Sequence, residues 1–377
     1  MSSPVVTPRS VALGMGCILL LAAVVLEGGV RLIQRYRYGD SASVYRFQID
    51  PVTGLKRMVA GATRGSRVSI HINSRGFRGP ELERPKPAAR IRLAFIGGST
   101  TFCAEVSGDE FTWPHLVWQS LRAEFPAAGL DYVNAGVPGY SSEQSLQSLK
   151  YYIAPLQPDV ILIYEATNDL SLDARRLAEA QGIYRHKNQD ASSFAQWSVA
   201  WQLIEKNLKI LAKQKEATAE AQPVLRFDPE RLSRSFEQRL TQLVEESRRV
   251  APVVALATFS YKVRRDQTRE RQLQAANTAL FYMPYMDVEG LLAGYEEYNR
   301  VIRAVAKKTG ALLIDGELTI PGDDRHFYDS VHFTDEGSRA MARRIGAALA
   351  AEPRFKAFMV SRMQIRSPDD PSRAPAH

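Results

Sequence analysis

Residues able to move an acyl group between oxygens stand at four separate places in this chain. Ser99 follows an apolar run and two glycines in LAFIGGSTTF, Leu93 to Phe102. Gly136 lies in NAGVPG, Asn168 and Asp169 close EATND, and Asp329 precedes His332 in YDSVHFTDEG. A serine hydroxyl is a poor nucleophile until a base takes its proton. A neutral imidazole can take it near neutral pH. A carboxylate can hold that ring in the right tautomer and offset the charge it gains. The tetrahedral intermediate then needs donors aimed at its oxyanion. The Asn168 side-chain amide and the backbone N–H groups of Ser99 and Gly136 have the right chemistry, and Gly136 has no side chain to block approach. Alone, a serine after Gly-Gly is more often a turn residue than a nucleophile. The chemistry therefore depends on elements that bring the four places together.

Those elements follow from periodicity. IRLAFIGG reads as a buried strand, LDYVNAGVPGY as a second strand running into a glycine turn, and PDVILIYEATND as a third, apolar on both faces. PVVALATF and ALLIDGE supply two more. Between them, TWPHLVWQSLRAEF, SSEQSLQSLKYYI, PERLSRSFEQRLTQLVEESRRV and LAGYEEYNRVIRAVAKKTG have helical spacing, and DEGSRAMARRIGAALAAE is the last helix. Ser141 or Ser142 is a plausible N-cap, and Gly310 closes a helix as its C′ residue. Alternation of strands and helices predicts a parallel sheet covered on both sides, with right-handed connections. Ligands bind outside the carboxyl ends of such strands, where every candidate lies.

In order and lettering these blocks resemble the SGNH, or GDSL-type, hydrolases. The resemblance runs through GGST, NAGVPGYS, ATND and DSVH over roughly Ile91 to Leu349. It implies a flavodoxin-like three-layer α/β/α sandwich with a central parallel sheet. It also implies Ser99 as nucleophile, His332 and Asp329 completing the triad, and Ser99, Gly136 and Asn168 as the oxyanion hole. The preceding INSRGFRGPE is similar to a segment that leads into the domain in membrane-anchored bacterial members. There are two departures: Gly98 stands where the family usually has Asp, and Ala166 where it usually has Gly.

Other histidines offer less. His326 is the nearest rival base but is read as lacking a carboxylate at the same offset, with Asp323 and Asp324 beside it as ordinary turn residues. His115, next to Trp113 and Pro114, reads as packing; His71, His186 and His377 have no partner pattern. Asp169 reads as structural, as a helix N-cap. GGSTTF lacks the third glycine of a dinucleotide fingerprint and the later lysine of a phosphate loop.

The formal net charge of +8 could suit an acidic partner, but the basic residues are scattered and no nucleic-acid signature appears. Only two cysteines occur, Cys17 and Cys103, with no zinc spacing, and a disulfide between them is not expected. Val11 to Leu26, VALGMGCILLLAAVVL, carries no charge, and with Gly28 to Val30 it approaches the ~20 residues of a membrane helix. Glu27 near its end can pair with Arg31 one turn on. An uncleaved anchor is expected, with a cleaved signal peptide as the alternative. Arg31, Arg35 and Arg37 lean toward a cytoplasmic carboxyl side, whereas the family resemblance implies an inner-membrane anchor with a periplasmic domain.

The expected organisation is an anchor and flanks over 1–37, a linker with a small β element over 38–90, and the hydrolase domain over 91–352. A helical insertion at about 171–222 is either a lid or an elaborated connection, and 353–377 is a tail. FYMPYMD, 281–287, is a candidate pocket wall. The expected activity is a serine esterase acting on a small acyl ester, O-acetyl groups on an envelope or exported polysaccharide being one candidate. The alternatives are an O-acyltransferase on a glycan using the same triad, or a non-catalytic glycan-binding scaffold. Expected partners are an acylated small molecule or glycan and the membrane, not nucleic acid. No metal or organic cofactor is implied.

Overall fold

The computed structural model describes residues 8–38, 46–64, 69–184 and 228–364, with isolated positions between 198 and 225. Helix α1 (Pro8–Tyr38) comes first. Two antiparallel hairpins follow, β1 (Phe47–Ile49) with β2 (Lys56–Met58), and β3 (Gly61–Arg64) with β4 (Ser69–Ile72). Then comes the central sheet: β5 (Arg90–Gly97), β6 (Gly129–Gly136), β7 (Val160–Tyr164), β8 (Val253–Ala257) and β9 (Leu312–Ile314). These strands pair in parallel in the order β6-β5-β7-β8-β9. That is the flavodoxin-like order, with its switch point between the first and third strands.

The strands are runs of branched and aromatic residues because both faces are covered. Every residue of VILIY in β7 and VVALA in β8 is buried. One layer holds α3 (Trp113–Glu124) against α9 (Asp335–Ala351), and the other holds α4 (Ser142–Ser148), α6 (Pro229–Val250) and α8 (Val288–Thr309). Each buried Leu, Ile or Phe contributes about 1.5–3 kcal/mol. Capping is local and strong: Asp228 accepts from the N–H groups of Glu230 and Arg231, Ser141 forms a capping box with Gln144, and Gly310 ends α8 at φ +71. A buried charge interrupts the apolar pattern. Arg92 of β5 is fully buried, held by Asp131 at 2.7 Å and by the Leu156 carbonyl at 3.0 Å.

Some expectations require correction or limits. Among the described residues no helix is long and apolar enough to cross a membrane, so the span expected over Val11 to Leu26 finds no support there. Several of its side chains lie outside those residues. Within α1, Glu27 and Arg31 do pair, at 2.6 Å. The insertion expected over 171–222 begins inside a helix, α5 (Thr167–Ala180), and most of the rest lies outside the described residues. Residues 353–364, grouped above with the tail, form helix α10 (Pro353–Gln364), which sends Phe355 and Met359 into the core. Helix α7 (Arg269–Tyr282) was not anticipated. Cys17 and Cys103 are both free thiols.

Candidate active site

Strand β5 delivers its carboxyl end into a backbone crossing with no room for side chains. A Cβ on Gly97 would lie 2.2 Å from Thr101 Oγ1 and 2.5 Å from the Tyr164 carbonyl. The chain turns there into a single helical turn, α2 (Ser99–Phe102), which ends at Cys103 in the left-handed region, φ +61. Ser99 is its first residue. Gly136 packs under this turn, where a Cβ would come 2.4 Å from the Phe102 nitrogen.

The second component arrives from the other end of the domain. Asp329 Oδ1 accepts from the backbone N–H groups of Val331 and His332, both at 2.9 Å, closing an Asx turn. Its Oδ2 lies 2.8 Å from His332 Nδ1, so one carboxylate both makes the turn and orients the ring. His332 Nε2 is 2.7 Å from Ser99 Oγ. The structure thus brings Ser99, His332 and Asp329 into one hydrogen-bonded chain across the fold.

The electrostatics have stated causes. Burial works against the charge of Asp329, but its bonds to the His332 ring and to two backbone N–H groups outweigh it and hold the carboxyl below its usual range. Burial also works against a charged His332. The carboxylate of Glu105 and the bond to Asp329 overcome it, and the imidazole is pushed up to about 9. Glu105 itself is raised by burial. Two carboxylates thus face one ring nitrogen, at 2.8 and 4.0 Å, and raise the imidazole.

Asn168 stands at the start of α5, beyond β7. Its Nδ2 donates to the Tyr140 carbonyl at 2.7 Å. An amide has two N–H donors, so one is left for a ligand. This close seat explains one family departure: a Cβ on Gly98 would lie 2.6 Å from Asn168 Nδ2. The expectation for Gly136 is corrected. Its N–H donates to Asn134 Oδ1 at 3.1 Å, and the residue does not line the cavity beside Ser99. Gly139 does, at φ +88, with open space where a Cβ would be. The cavity-lining glycine of this loop is therefore Gly139, three residues beyond Gly136.

The cavity measures about 330 Å³. Ser99, His332, Asn168 and Gly139 meet there with Tyr282 and Met283 from the end of α7 and just after it. Part of the 281–287 stretch therefore does form a wall.

Other expectations resolve locally. His115 packs between Trp118 and Tyr132, and burial lowers its affinity for a proton. Asp323 is more than a turn residue: it lies 2.7 Å from the His326 ring in the same i,i+3 arrangement as the Asp329–His332 pair. Asp169 does not cap its own helix. It accepts from the N–H and hydroxyl of Ser142 at the start of α4, at 3.0 and 2.5 Å. Among the described residues no cluster of His, Cys, Asp and Glu could hold a metal ion.

The sequence matches the GDSL-like lipase/acylhydrolase family over residues 95–340. An acetylxylan esterase from Geobacillus stearothermophilus is 17% identical, with 70% of this chain and 94% of that chain covered, at a TM-score of 0.42. An alpha/beta hydrolase enzyme from the metagenome of Lake Arreo, Spain, is 17% identical over 68% of this chain and 94% of that one, at 0.41. Likenesses this distant say nothing of the substrate. No curated protein matches the chain.

Proposed function

The chain belongs to the GDSL-like lipase/acylhydrolase family and is an ester-hydrolysing enzyme, and on that footing we propose that it removes a small acyl group from a hydroxyl, with acetylated glycan as the substrate class. The observation that carries this reading is the continuous chain from Asp329 Oδ2 through His332 to Ser99 Oγ, at 2.8 and 2.7 Å. Ser99 Oγ attacks the acyl carbonyl while its proton passes to His332 Nε2. Asp329 steadies the resulting imidazolium. The Ser99 N–H, the free Asn168 N–H and the Gly139 N–H hold the oxyanion. The C–O bond to the alcohol breaks, and the leaving oxygen takes the proton from His332. Water then repeats the sequence on the acyl-serine, releasing the acid and restoring the hydroxyl.

Cavity size supports a short acyl chain: about 330 Å³ is at the low end for a small-molecule site. Tyr282, exposed at 68% on the cavity wall, supports a sugar as the alcohol, since a ring with a polar tip suits a partly wet surface. The test is turnover of a sugar acetate with a second sugar offered as acceptor. Free acetate is expected as the main product. Acetyl transfer to the acceptor would replace hydrolysis by the transferase reading, and no product from any short ester would sink both.

The same proposal tethers the domain to a membrane through residues 11–26, facing the periplasm. The charge-free run and the exposure of Ile18, Leu20, Leu21, Val24 and Val25 support it. A reporter fused at the carboxyl terminus of the full chain should be active only outside the cytoplasm. A soluble chain, or a reporter active inside, defeats this part.

A further inference from the structure

We propose that Glu105 is a positioning residue for His332, a second carboxylate that stabilises the imidazolium formed when Ser99 gives up its proton. The inference rests on the triad assigned above and deepens it.

The geometry is specific. Glu105 Oε1 lies 4.0 Å from His332 Nδ1, the same nitrogen that Asp329 holds at 2.8 Å. Its other oxygen, Oε2, is buried with no hydrogen-bond partner among the described residues. The side chain is 15% exposed. A carboxylate in that state costs free energy unless a positive charge stands near it.

The backbone on both sides is fixed. Before Glu105, Cys103 is held at φ +61 and fully enclosed. Arg78, which bonds Asp109 at 2.6 Å, donates to the Phe102 and Cys103 carbonyls. After it, Val106 is wholly buried, and Ser107 donates through its N–H and hydroxyl to Asp335, at 2.9 and 2.5 Å. Asp335 begins α9, three residues beyond His332. The loop that carries Glu105 is thus stapled to the segment that carries the imidazole.

The charged and titratable groups facing this pair are few, and one is the buried Cys103 thiol, pushed up to about 12 by burial and so neutral across the range tested. Asp329 comes from the turn of His332 itself, Arg78 from the segment after β4, and Tyr295 of α8 faces Asp329. Arg78 is already committed to Asp109 and two carbonyls. With a neutral ring, the cation acting on Glu105 among the described residues is that shared Arg78. With the ring charged, Glu105 gains a close one. An interaction stronger in the charged state lowers the barrier. The same charge holds a proton on His332 in the resting enzyme and delays the appearance of the base as pH rises.

The test compares kcat/KM against pH for the full chain, Glu105→Gln and Glu105→Asp on one acetyl ester. In Glu105→Gln the acid limb should move down by about one pH unit or more, and the alkaline plateau should fall roughly tenfold. In Glu105→Asp the retracted carboxylate should move the limb the same way by less. A folded Glu105→Gln protein with an unmoved limb overturns the proposal. If Glu105→Gln does not fold, an unmoved limb in Glu105→Asp overturns it instead. Loss of turnover in Ser99→Ala separates the two readings: activity that survives that change refutes the triad, whereas an unmoved limb with a dead Ser99→Ala refutes only the role of Glu105.

Discussion

Ser99→Ala is expected to lower kcat on a short acyl ester by roughly 10⁵–10⁶-fold, the scale of losing a serine nucleophile outright. The melting temperature should stay within a few degrees. Among the described residues the hydroxyl bonds His332 Nε2, at 2.7 Å, and such a bond contributes about 1 kcal/mol net. Nothing else in α2 depends on it, because that turn is held by Gly97, Gly136 and the core aromatic Phe102. Steady-state rates on an acetyl ester, with parallel calorimetry, check both halves. A variant that keeps more than about a hundredth of the rate would mean that another group attacks the acyl carbon. The pH dependence gives a second constraint. His332 must be neutral to accept the proton, and it is pushed up to about 9. Activity should therefore rise through the mildly alkaline range.

Much of this arrangement is legible in the letters because the physics that writes it is local or one-sided. Strands β7 and β8 are buried on both faces, so they appear as unbroken apolar runs. Gly310 and Ser141 cap helices through contacts within a few residues. The offset between Asp329 and His332 is itself an Asx turn, so that pair is visible at short range. What was missed depends on distance. Whether Gly136 or Gly139 presents its amide to the cavity turns on Asn134, whose side chain takes the Gly136 N–H. Nothing in NAGVPG says which way that amide points. Asp169 has the chemistry of a cap, but it caps α4 rather than its own helix. Helix α7 buries Ala275, Ala276 and Ala279, a small-residue face that leaves no strong apolar stripe in RERQLQAANTALFY. Helix α10 fully buries Phe355 and Met359, too short a pattern to separate from a tail. Glu105 carried no signal at all, since its meaning comes from a histidine at the far end of the domain.

The largest stability effect is expected at a buried charge cluster behind Asn168. Arg239 of α6 reaches Asp173 at 2.7 Å and Asp169 at 3.0 Å. Asp173 also accepts from the Tyr298 hydroxyl at 2.7 Å, and Asp169 from Ser142. Glu165, fully buried beside them, accepts from Ser145 and is pushed well above the usual carboxylate range by burial and by the charge of Asp169. Arg239→Met would strand these carboxylates without their cation. Breaking a buried pair this way costs about 3–5 kcal/mol, or roughly 10 °C in a domain of this size. The sign with pH follows from Asp169. Burial raises its carboxyl, and Arg239 pulls it back down; without the guanidinium it rises further. A carboxyl raised in the fold takes up its proton there more readily than in the unfolded chain, so stability falls as pH climbs from the unfolded value through the raised one. The deficit of Arg239→Met should therefore be full at pH 8 and shrink toward pH 5, as the stranded acids become neutral. Melting temperatures of both proteins at the two pH values decide it, and an equal deficit at both would show that lost packing rather than uncompensated charge sets the cost. Catalysis should follow the same trend: Asp169 is the residue after Asn168 and ties α5 to α4, so an oxyanion donor resting on a loosened anchor loses the preorganisation that makes it effective.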